Sequence, residues 1–156
     1  GAPGVYRQDV ARAADALHPP PPDLVLIGRR HVRSNNSWLH NSQRLVKGKP
    51  RCTLMIHPAD AVARGIVDGC VVRLSSRVGA VEIVAEVTDD MRPGVVCMPH
   101  GWGHDRPGTR LSVAGRSPGV SINDVIDDQR IDALTGTAVL NGTPVEVEPV
   151  RLASGA

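Results

Sequence analysis

Apolar residues recur at every second position over one stretch of this chain. Val81, Ile83, Ala85 and Val87 are spaced by Glu82, Val84 and Glu86. A period of two predicts a strand with one buried face. Val145–Glu148 repeats the alternation near the end of the chain. Leu24–Ile27 and Val95–Met98 are short apolar runs without alternation, which predicts strands buried on both faces. Thr53–Ile56 and Cys70–Ser76 complete the predicted strands. Turns are expected at Asp68-Gly69, Val78-Gly79 and Pro93-Gly94.

Helical spacing is rarer. Val10, Ala13, Ala14 and Leu17 predict a helix over Val5–Leu17, with Asp9 near its start. Pro58 suits a first helical turn, and Ala59–Arg64 continues it until Gly65 caps it. Pro99–Gly119 shows no period, and Ile122–Ile131 offers at most one helical turn. Pro19–Pro22 is a stiff connector. The organisation expected is a helix and proline connector over 1–22, a compact unit over 23–150, and a fraying tail over 151–156. Short strands broken by one small helix point to a mainly β fold, a closed or nearly closed barrel.

At 156 residues and a formal charge of +2, this is most simply one domain without a whole-surface attraction for polyanions. Tyr6, Trp38 and Trp102 are the only aromatics, so the core must be aliphatic. Both tryptophans fall in polar segments, which suits ligand platforms. Cys52, Cys70 and Cys97 show no paired spacing, so buried free thiols are expected rather than a metal centre. No apolar run is long enough to cross a bilayer. The start lacks a secretory pattern, so a cytoplasmic location is expected. The abrupt Gly1-Ala2-Pro3-Gly4 opening suggests a piece of something larger.

Charge is distributed unevenly. No carboxylate lies between Asp23 and Asp60, yet that stretch holds Arg29, Arg30, Arg33, Arg44, Lys47, Lys49 and Arg51. Ser34, Asn35, Asn36, Ser37 and Trp38 sit in its middle. Cations with short donors are what a phosphate ester needs, the charge attracting it and the donors fixing its orientation. An ordinary solvated loop with Asx turns is the plainer alternative.

The order of segments carries a resemblance. Strand Leu24–Ile27 leads into Gly28-Arg29 and then His31-Val32-Arg33-Ser34-Asn35-Asn36-Ser37-Trp38-Leu39-His40-Asn41. Met55–Ala61, Asp68-Gly69, Pro93–Val96, Pro99–His104 and Asn123-Asp124 follow in turn. The succession resembles the C-terminal molybdopterin-dinucleotide-binding domain of the dimethyl-sulfoxide-reductase-type molybdenum and tungsten oxidoreductases, a group that includes formate dehydrogenases and nitrate reductases. The resemblance covers Asp23–Val150. It implies a six-stranded double-psi β-barrel with short flanking helices, binding molybdopterin guanine dinucleotide. The metal is then held by the pterin and by other domains of a parent oxidoreductase, so this chain would be neither catalytic alone nor a metal ligand.

Given that ligand, Arg30 and Arg33 are candidates for phosphate oxygens. Ser34, Asn35, Asn36 and Ser37 would add side-chain and backbone donors. Trp38 could lie against a ring or simply pack. His100, Gly101 and Trp102 could approach the pterin and phosphate, with Gly101 permitting close backbone contact. His100 and His104 alone make a weak case for a metal. By the resemblance, Asn123 reads a pterin edge, and Asp124 caps or orients beside it. The expected partners are the cofactor and the rest of the parent enzyme, without nucleic acid. Two other classes stay open: a small basic β-barrel binding single-stranded nucleic acid through 29–51, and a hydrolase or self-processing enzyme on a related barrel. The shortage of aromatics weakens the first. No nucleophile elbow or Gly-Ser bond supports the second.

Overall fold

The computed structural model describes residues 3–15, 17 and 23–150. The Pro19–Pro22 connector and the 151–156 tail lie outside them. The strands are β1 (Val25–Arg29), β2 (Thr53–Ile56), β3 (Val71–Ser75), β4 (Ala80–Val87), β5 (Val95–Pro99), β6 (Thr143–Pro144) and β7 (Glu146–Pro149). The helices are α1 (Gly4–Asp15), α2 (Gln43–Val46) and α3 (Pro58–Ala63).

The strands form one sheet in the order β6-β1-β5-β2-β4-β3-β7. β6 and β7 flank the single residue Val145, whose amide donates to the Leu24 carbonyl at 3.1 Å. One continuous segment, 143–149, thus pairs with β1 at one edge and β3 at the other. That closes the sheet into a barrel of six staves. β1 and β2 are consecutive yet separated by β5, and β4 and β5 are consecutive yet separated by β2. Each crossover passes over a strand belonging to the other. With β1/β5 and β2/β4 parallel and β2/β5 antiparallel, the two crossovers interlock as a double-psi β-barrel.

The interior is aliphatic. Leu26, Leu54, Ile56, Val72, Leu74, Val96 and Met98 are fully buried. Each such side chain contributes roughly 1.5–3 kcal/mol of transfer free energy. β4 keeps the predicted alternation, with Val81, Ile83 and Ala85 inside and Glu82, Val84 and Glu86 outside. α3 starts at Pro58, and the His57 ring accepts from the Ala59 amide at 3.1 Å. The β1 run differs from expectation: Leu24 and Leu26 are buried, but Val25 and Ile27 are only half-covered, because loops cover the outer face of the barrel unevenly. α1 also differs. None of its residues is buried and Val10 is 70% exposed, so its apolar stripe adds nothing to the buried core.

Candidate functional site

β1 and β5 are parallel and end in register, Arg29 opposite Pro99. The loops that follow, starting at Arg30 and His100, therefore leave the same rim. The His100 amide extends the pairing by one bond to the Arg29 carbonyl, 3.1 Å. Glycines let the loops touch backbone to backbone. A Cβ on Gly28 would overlap the His100 ring. A Cβ on Gly101, where φ is +87°, would fall 2.5 Å from the Asn36 carbonyl oxygen and 2.8 Å from the Ser37 nitrogen. The first loop reverses on itself at Asn35 (φ 43°) and Asn36 (φ 61°). Asparagine enters this left-handed region more readily than most side chains. The Ser34 and Asn35 amides both donate to the His31 carbonyl, and the Leu39 amide returns to Ser34.

The two loops and the 3₁₀ turn Ile122–Asp124 enclose a cleft of about 450 Å³. Arg30, Asn36, Ser37, His100, Gly101, Trp102 and Asn123 line it, with His104, Ser121 and Leu140. Seven of the twelve residues expected at the site thus share one concavity. The side chains of Arg30, Asn36, Ser37 and Asn123 make no hydrogen bond to any described residue. They are donors and acceptors without an internal task.

The other five are placed differently. Ser34 is 3% exposed and lines a second cleft of about 680 Å³, beyond Trp102, with Arg29, His31, Lys49 and Arg51. The Arg33 guanidinium is turned away and donates to the Arg44 carbonyl at 3.2 Å. Asn35 is exposed and shapes the reversal. Trp38 is 83% exposed and lines neither cleft, so it neither stacks on the site nor packs in the barrel. Asp124 is ion-paired with Arg106 and borders a neighbouring hollow.

Other polar residues are committed to the scaffold. Arg29 donates to the Cys97 carbonyl (2.6 Å), the Arg51 carbonyl (3.2 Å), and the carbonyl and hydroxyl of Thr53 (3.0 and 2.8 Å). The Asn41 side chain accepts from the Val113 and Ala114 amides, and that of Asn141 from the Gly28 amide. Among the described residues no three His, Cys, Asp or Glu side chains cluster as a metal site.

Pattern alone did not find His40. It is wholly buried, its Nδ1 lies 2.7 Å from Nε2 of His104, and its ring lies 4.0 Å from that of Trp102. Burial, the neighbouring His104 and Arg51 push its pKa down to about 4. His104 is lowered chiefly by burial, and His100 by burial and by Arg30. With these rings neutral near pH 7, Arg30 supplies the positive charge of the cleft. Only the chain reversal at Asn35–Asn36 brings His40 inside, and no local spacing announces it.

Residues 24–144 match the family described as the Molydopterin dinucleotide binding domain. The molybdopterin-containing subunit of the arsenate respiratory reductase of Chrysiogenes arsenatis is 31% identical over 130 residues, 78% of this chain and 15% of that protein. Biotin sulfoxide reductase of Cereibacter sphaeroides is 38% identical over 81 residues, 51% of this chain and 11% of that protein. Acetylene hydratase from Pelobacter acetylenicus superimposes with a TM-score of 0.69 at 19% identity, covering 91% of this chain and 20% of the other. The chain therefore spans a small fraction of the proteins it matches. The description of the family names a molybdopterin dinucleotide as the ligand of such domains.

Proposed function

The chain belongs to the molybdopterin-dinucleotide-binding domains of the dimethyl-sulfoxide-reductase family, and we propose that the 450 Å³ cleft is where it grips that cofactor on behalf of a larger oxidoreductase. One observation carries the proposal: polar side chains without internal partners converge on one concavity, while their neighbours in sequence are tied into the scaffold. Arg30 offers a charged fork to phosphate oxygens. Asn36 and Asn123 each present a donor and an acceptor, which suits the amide-like edge of a pterin or guanine. Gly101 lets the Asn36–Ser37 backbone close against the second loop, and the Ser37 hydroxyl adds a further donor to the cleft. When bound, the cofactor supplies the metal redox centre, and this chain's part is to hold and orient it.

The test is a calorimetric titration of the 156-residue chain with GDP, which carries the guanine and diphosphate of one end. Removing a charged hydrogen-bond donor costs about 1.5–3 kcal/mol. Arg30→Ala is therefore expected to weaken binding roughly 10- to 100-fold. Arg33→Ala, whose guanidinium faces Arg44, is expected to change it less than about threefold. Equal losses in the two variants, or none in Arg30→Ala, would remove the cleft from consideration.

A further inference from the structure

The contact between His40 and His104 has consequences for the ligand. Two neutral imidazoles 2.7 Å apart share one proton, so one ring donates and the other accepts. His40 has no freedom to adapt, being fully buried and packed on Trp102. Its second ring nitrogen, Nε2, is buried without a hydrogen-bond partner. The Gly101 backbone pulls weakly on the ring in the direction of protonation, but no bond closes to Nε2.

Partner accounting separates the two arrangements. If His104 donates, His40 must carry its own proton on Nε2, leaving a buried N–H unpaired. If His40 donates from Nδ1, its Nε2 is left as a bare acceptor. Orphaned buried N–H groups are rarer than under-used acceptors, so the second arrangement is favoured. In that arrangement Nε2 of His104 accepts, and its proton must sit on Nδ1. The His104 ring lines the cleft, and its Nδ1 bonds to no described residue.

We infer that His40 is a positioning residue that locks His104 in the Nδ1–H tautomer, so that the cleft presents a neutral donor to an acceptor atom of its ligand, a ring carbonyl, a ring nitrogen or a phosphate oxygen. The inference rests on the cleft being the ligand site, but its central claim concerns the ligand-free chain. Arg51 acts on His40 and Asp105 on His104; neither takes the place of the shared proton.

The experiment is long-range ¹H–¹⁵N correlation NMR of the ¹⁵N-histidine-labelled 156-residue chain, followed from pH 5 to 8. Wild type should show His104 protonated on Nδ1 throughout. His40→Phe keeps an aromatic ring beside Trp102 and deletes the donor, so His104 should shift toward the Nε2–H form and titrate at higher pH. His40→Asn places an amide N–H near the position of the lost Nδ1 and should restore the Nδ1–H form. An Nε2–H His104 in wild type overturns the inference without any variant, as does an unchanged tautomer in a folded His40→Phe. A GDP titration run in parallel separates the two claims. Failure to bind GDP with the tautomer confirmed removes the ligand site and leaves the lock standing.

Discussion

At the scale of single residues, the distinction that matters is between polar groups with internal partners and those without. Arg29 and Arg30 are adjacent, yet one is consumed by four scaffold contacts and the other opens onto the cleft. His40 and Asp127 show that such commitments also set the response to pH. The folded pKa of His40 lies at about 4, below the ordinary 6.5 it regains on unfolding. Its neutral burial thus stabilises the fold fully above pH 6.5, and that contribution is lost as pH falls from 6.5 toward 4, because only the unfolded state takes up the proton. Asp127 titrates lower. A hydrogen bond from Arg77 (2.7 Å) and one from the Gln129 amide hold its carboxyl below 3.8 despite its burial. Its contribution is present above 3.8 and lost as pH falls further. Urea unfolding at pH 7.0, 4.5 and 3.0 should resolve the two windows. His40→Phe should flatten the decline between 7.0 and 4.5, and Asp127→Asn the decline below it. An unchanged upper slope in His40→Phe would assign that window to other groups.

At the scale of elements, Arg29 acts as a brace across the barrel wall. It starts on β1, reaches Cys97 on β5, then Arg51 and Thr53 on and beside β2; the Thr53 hydroxyl in turn bonds Glu86 of β4 at 2.5 Å. These are four consecutive staves, β1-β5-β2-β4. The register that brings the cleft loops to one rim is the register this guanidinium spans. Arg29→Met would leave several carbonyls short of a donor, and unpaired buried acceptors cost about 1–3 kcal/mol each before relaxation. A loss of roughly 2–4 kcal/mol in unfolding free energy is expected, with Arg29→Lys recovering little because an ammonium lacks the fork. A denaturation midpoint within error of wild type would show that water replaces the brace at no cost. The strands themselves were readable: Val95–Met98 from its short apolar run and Val81–Val87 from its alternation. The brace and the closing segment were not, since β6 is two residues long and ends at Pro144, and pairings between distant segments leave no local period. The site divided in the same way. The Asn36-Ser37 and His100–Trp102 segments were visible as residue types, whereas the outward turn of Trp38, the pairing of Asp124 and the burial of His40 depend on how the loops fold back.

At the scale of the whole molecule, the barrel and the leading helix are separable in physical terms. The barrel closes on itself through 143–149, and its core draws on residues from Leu24 to Val147. α1 adds no buried residue, and Tyr6 and Val10 are more than half exposed. A segment that buries no residue contributes little to the free energy of the fold. A chain beginning at Asp23 is therefore expected to unfold within about 0.5 kcal/mol of the 156-residue chain, the range typical of surface changes. It should also bind GDP with the same affinity, because every cleft residue lies between Arg30 and Leu140. Circular dichroism melts and a repeated titration check both points. If stability drops by several kcal/mol, α1 must pack on the barrel in solution, and its apolar stripe through Val10 belongs to the core. If stability holds and only the affinity falls, the segment before Asp23 reaches the cleft, and the boundary of the binding unit moves toward the N-terminus.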